Sequence, residues 1–132
     1  MRVTWQGLGP FENYPDRKAA ARFGEHSLSI ADLQTHYIFP TDNGLRSDCK
    51  QLDISGLRVN GQFCFSVSEY GQAQLDTAKH TSDLMPQDCV FVYIDHAHMG
   101  VGGDDSWSPS THKAFLIEEK CYRYSVTFCA KV

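Results

Sequence analysis

One stretch of the chain, Asp95–Pro109, gathers most of the side chains that could carry chemistry. It holds three aspartates, two histidines, two serines, three glycines and one tryptophan, directly after an apolar run. The glycines let the backbone bend and let other groups approach closely. Such a loop could bind a metal ion, place a pair of carboxylates, activate a serine or present an aromatic ring to a sugar.

A metal site is the first of these possibilities. The candidate donors are Asp95, His96, His98, Asp104 and Asp105. If the preceding strand continues, both histidines share one of its faces and the first aspartate points away from them. No H-E-x-x-H or comparable spacing is present, and a catalytic zinc site needs a third well-placed ligand. We therefore expect no protein-bound metal in this chain.

Catalytic carboxylates and nucleophiles are also disfavoured. A retaining glycosidase holds two carboxyl groups about 5 Å apart across the scissile bond, whereas the sequence neighbours Asp104 and Asp105 tend to diverge. We expect one of them to cap the loop by accepting backbone N–H groups. Ser106 and Ser108 lie near histidines in the sequence, but neither lies in a G-x-S-x-G elbow. We therefore expect no catalytic residue in this loop.

Trp107 is the remaining candidate, either as a stacking platform for a sugar ring or as an ordinary core residue. The C–H face of a sugar packs on aromatic surface. A polar, glycine-rich setting favours the functional alternative, because binding residues concentrate in loops. Trp107 is therefore the predicted substrate-binding residue. The predicted scaffold of the loop consists of Gly102, Gly103, Asp104, Asp105 and Ser106.

Short strands must position this loop. Alternating apolar residues predict strands at 2–6, 37–40, 46–54 and 62–68, and a terminal hairpin of 113–117 and 121–128. The run 89–94 is apolar on both faces, so we predict a central strand that leads into the loop.

Turns and helices complete the predicted elements. Residues 7–10 (G-L-G-P) should end the first strand, and residues 56–61 should form a hairpin turn. A proline, an aspartate and three alanines before Gly24 predict a helix over residues 15–23. Residues 69–80 predict a second, short surface helix. Six to eight strands and two short helices indicate an all-β, antiparallel β-sandwich in one domain, residues 1–132.

Composition limits the class of protein. The 132 residues are 42% hydrophobic and 21% charged, with a net charge of −4. The charge disfavours nucleic acid and anionic membranes as partners. We find no signal peptide and no apolar run near the ~20 residues that span a bilayer. The five cysteines are odd in number and lack a C-x-x-C spacing, so we expect free, mostly buried thiols and a cytoplasmic location.

Three motifs carry a family resemblance. They are G-L-G-P-F-E-N-Y-P-D-R at 7–17, N-G-L-R at 43–46 and H-M-G-V-G-G-D-D-S-W-S-P at 98–109. Their order and spacing closely resemble the C-terminal domain of family 2 glycoside hydrolase β-galactosidases along essentially the whole chain. One departure is His36, where the family commonly has proline before the tyrosine of T-x-Y.

The resemblance implies a fold and a role. The family's C-terminal domain is an antiparallel β-supersandwich, related in shape to aldose mutarotases, and this chain resembles its second half. The catalytic glutamates, with Mg²⁺ and Na⁺ close by, belong to a TIM barrel whose motifs do not occur in these residues. Trp107 occupies the place of an aromatic residue that stacks on the leaving-group glucose or the acceptor.

The resemblance further implies a parent enzyme that hydrolyses terminal β-D-galactosides such as lactose with retention. The remaining β-galactosidase domains would be the partners of this chain, which alone should be inactive and should self-associate through its exposed edges. Two alternatives stay open: a free-standing β-sandwich that binds sugar or protein, and a mutarotase-like epimerase. An exposed Trp107 and an uncovered apolar face would favour the parent enzyme, whereas a closed pocket with a facing histidine and glutamate would favour the epimerase.

Overall fold

The computed structural model describes residues 1–108 and 110–131. The strands are β1 (Arg2–Gly9), β2 (Arg22–Ser29), β3 (Arg46–Ile54), β4 (Leu57–Ser68), β5 (Phe91–Asp95) and β6 (Val126–Ala130). The α-helices are α1 (Ile30–Leu33) and α2 (Gln72–Thr77), and single 3-10 turns cover Thr81–Asp83 and Lys113–Phe115. None of the helices in the described part of the chain has the length and hydropathy to cross a membrane.

All six strands belong to one antiparallel sheet with the order β2-β1-β3-β4-β5. β4 is the longest strand, and both short strands pair with it. β5 lies along its second half, from Cys64 to Ser68, and β6 along its first, from Leu57 to Gly61. The predicted antiparallel all-β class is confirmed, as an open, sandwich-like sheet.

The hydrophobic core lies on one face of this sheet. Its side chains come from alternate positions of β1, β3 and β4 and from α1, which packs against β2 and β4. The fully buried members include Val3, Trp5, Leu33, Leu52, Val59, Phe63 and Phe65. Phe128 of β6 pairs with Val59 in register and so lies on the same side of the sheet, yet it is 58% exposed. The apolar face is therefore uncovered at the β6 edge.

The predicted break at residues 7–10 is wrong, because β1 continues in register with β2 as far as Gly9. A Cβ at Gly9 would lie 2.7 Å from the ring of Trp5 and 2.8 Å from the ring of His26. The glycine is therefore required by close packing within a strand and does not mark a turn.

The predicted helix over residues 15–23 is also wrong. Tyr14 and Arg17 close a tight turn through two backbone hydrogen bonds of 3.0 and 2.9 Å. Arg22 then begins β2, which pairs with β1 at eight successive positions. Ladder hydrogen bonds to a distant strand therefore override a local helix propensity that spans only two or three turns.

Four further predictions near strands fail. The segment 37–40 is a loop, of which residues 37–39 are exposed, and the turn predicted at 56–61 is confined to Ser55 and Gly56. β5 is an edge strand, since within the described residues it pairs only with β4. The segment 113–128 forms no hairpin, because its last residues join β6, which pairs with β4. Strands at 2–6, 46–54 and 62–68 and the helix within 69–80 are confirmed.

All five cysteines are free thiols. Cys49 is buried and Cys64 half-buried, but the expectation of mostly buried thiols is wrong for the other three. Cys89, Cys121 and Cys129 are exposed. They lie in connecting segments or on the edge strand β6, where nothing in the described chain packs over them.

Candidate functional site

Trp107 stands at the tip of the tryptophan loop, which comprises residues 96–108 and 110–115. Its side chain is 92% exposed, so it is not a core residue. The turn that carries it is closed by Asp105, whose Oδ1 accepts hydrogen bonds from the N–H of Trp107 (2.8 Å) and of Ser108 (2.7 Å). This is the capping contact that the sequence predicts for one of the two aspartates. The ring is thus presented to solvent by an ordered turn.

Hydrogen bonds join the first and last parts of the tryptophan loop at its base. The N–H of Gly100 donates to the carbonyl of Phe115 at 2.7 Å, and the Thr111 hydroxyl donates to the carbonyl of Gly100 at 3.3 Å. Nearer the tip, the Asp104 carboxylate pairs with His112 Nε2. The loop therefore closes on itself before it reaches Trp107.

The other scaffold residues lie where the chain turns. Gly102 and Gly103 have φ angles of +67° and +92°, a region that disfavours side chains. Ser106 is exposed beside Trp107. Pro109, the last residue of the motif, lies outside the described residues. The scaffold role of these residues stays a prediction.

Asp16 connects the loop to the sheet. Its Oδ1 accepts the N–H of Val101 at 3.0 Å, and its Oδ2 accepts the N–H of Gly102 at 2.8 Å. Burial raises the pKa of this carboxyl, but the hydrogen bonds from Gly102 and Val101 outweigh that effect and hold it below its usual range. Asp16 is therefore ionised at neutral pH.

Asp16 belongs to residues 10–17, which we name the support segment. Glu12 of this segment accepts the N–H of Gly44 at 2.9 Å and the hydroxyl of Tyr14 at 3.0 Å. Asn13 is fully buried, and its Oδ1 accepts both the N–H (3.1 Å) and the hydroxyl (2.6 Å) of Ser47. The support segment is thus bonded to the start of β3 at one end and to the tryptophan loop at the other.

Arg46 completes this network as a buried cation. Its side chain donates to three backbone carbonyls, those of Pro10 (2.9 Å), Leu33 (2.9 Å) and Gly44 (2.7 Å). Burial lowers the pKa of Arg46 to about 10, and the nearby Glu12 charge opposes that effect. The guanidinium therefore remains charged at neutral pH and joins three separate segments.

The two histidines among the candidate metal donors take different partners. His96 stacks on the ring of Tyr124, with centroids 5.1 Å apart, whereas His98 meets the edge of the Tyr14 ring at 5.4 Å. The expectation that the two histidines share a strand face is wrong, because β5 ends at Asp95. Among the described residues, no group of three or more histidine, cysteine or acidic side chains could hold a metal ion.

A cavity of about 350 Å³ lies where β4 and β5 meet the first residues of the tryptophan loop. Asp42, Asp95, His98 and the buried Ser66 contribute polar groups to its wall. Burial raises the pKa of Asp95. The described residues that line the cavity include no glutamate, and the cavity opens to solvent.

The arrangement can present an aromatic ring to a ligand. Both aspartates beside Trp107 already have partners, since one caps the turn and the other pairs with His112. A stacking surface needs an exposed, oriented ring and no proton transfer. The site therefore suits binding of an apolar ring face, such as that of a sugar.

Comparisons with known proteins give a consistent family. The model of the beta galactosidase small chain family matches residues 1–128. The Beta-galactosidase of Alteromonas mediterranea is 98% identical over 132 residues, which are 100% of this chain and 13% of that protein. The Beta-galactosidase of Pseudoalteromonas haloplanktis is 66% identical, and that of Vibrio vulnificus 60%, each over 96% of this chain and 12% of the relative. The chain thus spans only 12 to 13% of the length of these relatives.

Proposed function

The chain belongs to the beta galactosidase small chain family, and from that premise we propose that it is part of an enzyme that hydrolyses terminal β-D-galactosides with retention. In this proposal Trp107 stacks on the sugar at the leaving-group or acceptor side of the active site. The catalytic carboxylates, with Mg²⁺ and Na⁺, belong to other parts of the enzyme. The chain itself forms the C-terminal portion of the supersandwich domain.

One observation supports this role above the others: a large aromatic ring, 92% exposed, stands on a turn that is ordered by its own hydrogen bonds. A bare tryptophan ring exposes apolar surface to water at a cost of about 25 cal/mol per Å². A sugar face that covers the ring removes this cost. The turn fixes the backbone beforehand, so binding orders less of the chain.

The uncovered part of the core face supports a larger parent protein. Phe128 on β6 and Leu57 at the start of β4 are exposed on the side of the sheet that carries the core. We propose that other domains of the β-galactosidase cover this face. The chain produced alone should therefore self-associate, which light scattering measures, and should not hydrolyse a chromogenic β-galactoside.

The test replaces Trp107 in a full-length β-galactosidase that carries this chain. Trp107→Ala should weaken binding of glucose as acceptor by about tenfold, the size of losing a stacking contact worth roughly 1–1.5 kcal/mol. Galactose, held by other parts of the site, should inhibit almost as before. Glucose is measured by competition with water for the galactosyl-enzyme, and galactose by its inhibition constant.

Two controls make the result specific. Trp107→Phe keeps an aromatic face and should retain most of the affinity for glucose. Leu116→Ala changes another exposed apolar residue, directly after the same loop, and should leave both constants unchanged. Equal losses for glucose and galactose in Trp107→Ala would contradict the stacking role.

The two alternatives receive less support. An epimerase needs a histidine and a carboxylate that face each other in a closed pocket. The cavity beside β5 does bring His98 together with the carboxylates of Asp42 and Asp95, but it opens to solvent, and the described residues that line it include no glutamate. A free-standing sugar- or protein-binding domain would need no further domains, whereas the relatives are about eight times longer than this chain.

A further inference from the structure

We propose that Asp16 is a positioning residue, which fixes the direction of the Trp107 ring and thereby sets the affinity for the sugar that stacks on it. The inference rests on the proposed function, because it presupposes that Trp107 meets a sugar. It concerns a different residue, 91 positions earlier in the chain, and a contact to backbone instead of substrate.

The contact, which we name the Asp16 clamp, consists of two hydrogen bonds between the Asp16 carboxylate and the loop backbone. The two carboxylate oxygens of Asp16 take separate partners, the N–H of Val101 at 3.0 Å and the N–H of Gly102 at 2.8 Å. Two hydrogen bonds accepted by one rigid, planar group fix both the position and the orientation of the peptide between those residues. That peptide lies five residues before Trp107, at the entry to its turn.

The space around the clamp allows little adjustment. A Cβ at Gly100 would lie 2.5 Å from Asp16 Oδ2 and 2.8 Å from the Cβ of Phe115. The loop backbone is therefore in direct contact with the carboxylate on one side and with the end of the loop on the other. The left-handed φ of Gly102 then sets the bend toward the tip.

Asp16 itself is held firmly. The turn from Tyr14 to Arg17 is closed by two backbone hydrogen bonds, and Asn13 donates its N–H to the carbonyl of Leu45 at 2.8 Å. The start of β3 therefore fixes the support segment, and the support segment in turn fixes the orientation of the loop. In the part of the chain that the structure describes, Asp16 is the side chain from outside residues 95–115 that hydrogen-bonds this loop.

The remaining hydrogen bonds of the tip cannot supply this orientation, because they are internal to the loop. Asp105 caps the turn that contains it, and Asp104 pairs with His112 of the same loop. Such contacts preserve the shape of the tip but leave its direction relative to the sheet free. The direction relative to the rest of the enzyme is what decides whether a ring meets its sugar.

The test again uses a full-length β-galactosidase that carries this chain. Asp16→Asn keeps the shape of the side chain but turns an amide NH₂ toward one of the two N–H groups, so that one acceptor is lost. We expect the acceptor constant for glucose to rise about tenfold, the size of losing one hydrogen bond to a charged group, while the inhibition constant of galactose stays within about twofold. Asp76→Asn, on the exposed surface of α2, is the matched control and should change neither constant.

A double-variant cycle distinguishes positioning from a general structural role. If Asp16 acts through the ring, Asp16→Asn should have no further effect on the glucose constant when Trp107 is already alanine. A second, independent loss in the double variant would overturn the proposal. Gly100→Ala, which intrudes on the same carboxylate, should give the same selective loss and replaces Asp16→Asn if that variant folds poorly.

The two proposals fail in different ways. If Trp107→Ala leaves the glucose constant unchanged, the stacking role is wrong and the Asp16 inference is overturned with it. If Trp107→Ala weakens glucose but Asp16→Asn does not, only the Asp16 inference is overturned. Hydrogen exchange adds a direct readout: the amides of Val101 and Gly102 should exchange faster in Asp16→Asn, and unchanged exchange would also overturn the clamp.

Discussion

The support segment and the tip of the tryptophan loop use polar side chains in opposite ways. Asn13 of the support segment and Arg46 of β3, which bonds that segment, are buried, with 0% and 2% of their surface exposed. Both form hydrogen bonds with residues far away in the sequence. Asp105 and His112 are exposed and bond residues within eight positions of themselves. The first network fixes segments relative to one another, whereas the second fixes only a local shape.

This difference explains how a fully exposed ring can have a defined position. A buried polar network is expensive to break, because each partner left behind is an unsatisfied buried group. Removing an exposed contact lowers the free energy of unfolding little, since water replaces the lost partner. The strongly stabilising contacts lie between the support segment and the start of β3, and the weakly stabilising ones lie at the tip of the loop. Three measurements test this contrast between buried and exposed polar contacts.

The largest effect should follow from Arg46→Met. The methionine fills part of the space but leaves the carbonyls of Pro10, Leu33 and Gly44 without their donor. We expect the free energy of unfolding to fall by about 3 kcal/mol or more, as for several buried acceptors left unpaired. Urea unfolding measures it, with Arg123→Met at an exposed site as the control. A loss below about 1 kcal/mol would show that the buried network is not costly to break.

An intermediate effect should appear at Asp53, whose side chain is 8% exposed and accepts from Arg58 and Lys131, each at 2.7–2.8 Å. The hydrogen bond from Arg58, with that from Lys131, lowers its pKa from 3.8 to about 2. Because the folded pKa lies below the unfolded one, the stabilisation is complete above pH 4 or so and is lost as the pH falls through about 2.

The expected contribution of Asp53 is about 2 kcal/mol. The free energy of unfolding of the unmodified chain should therefore fall by about that amount more than the free energy of Asp53→Asn between pH 5 and pH 2. Denaturant titrations at several pH values measure it. If the free energies of unfolding of the two proteins change in parallel with pH, the ion pair contributes as little as an exposed surface pair.

The smallest effect should follow from Asp105→Ala. The exposed carboxylate caps only the turn of Trp107, and water can replace it. We expect no measurable change in the urea midpoint, but faster hydrogen exchange at the amides of Trp107 and Ser108. A clear loss of global stability would show that the tip is coupled to the sheet beyond the Asp16 clamp.

Much of the sheet could be predicted from local pattern. Phe63, Phe65 and Val67 alternate with small polar residues, and the structure buries them on one face of β4. The tryptophan loop was recognisable from composition, because a large ring among glycines and serines is unusual for a turn. These features are visible in the sequence since each depends on residues a few positions apart.

Other features depend on pairing between distant segments. Residues 15–23 have a composition typical of a helix. Arg22 and Phe23 nevertheless lie in a strand, because they belong to the eight-residue ladder that pairs β2 with β1. The terminal residues alternate like a hairpin, but β6 pairs with β4. Local propensity amounts to a few tenths of a kcal/mol per residue, so a ladder of backbone hydrogen bonds outweighs it.

In the candidate site, too, some features depend on neighbouring residues and others on contacts between distant segments. The amino-acid sequence makes Trp107 a candidate and predicts a cap from Asp104 or Asp105, because a turn and its capping side chain lie within three residues of each other. The residue that anchors the loop is visible only in the folded chain. Asp16 reaches Val101 and Gly102 across 85 and 86 positions, and no periodicity or spacing encodes a contact of that separation. The motif at 7–17 contains Asp16 and carries part of the family resemblance, but it does not indicate that the Asp16 carboxylate contacts the loop.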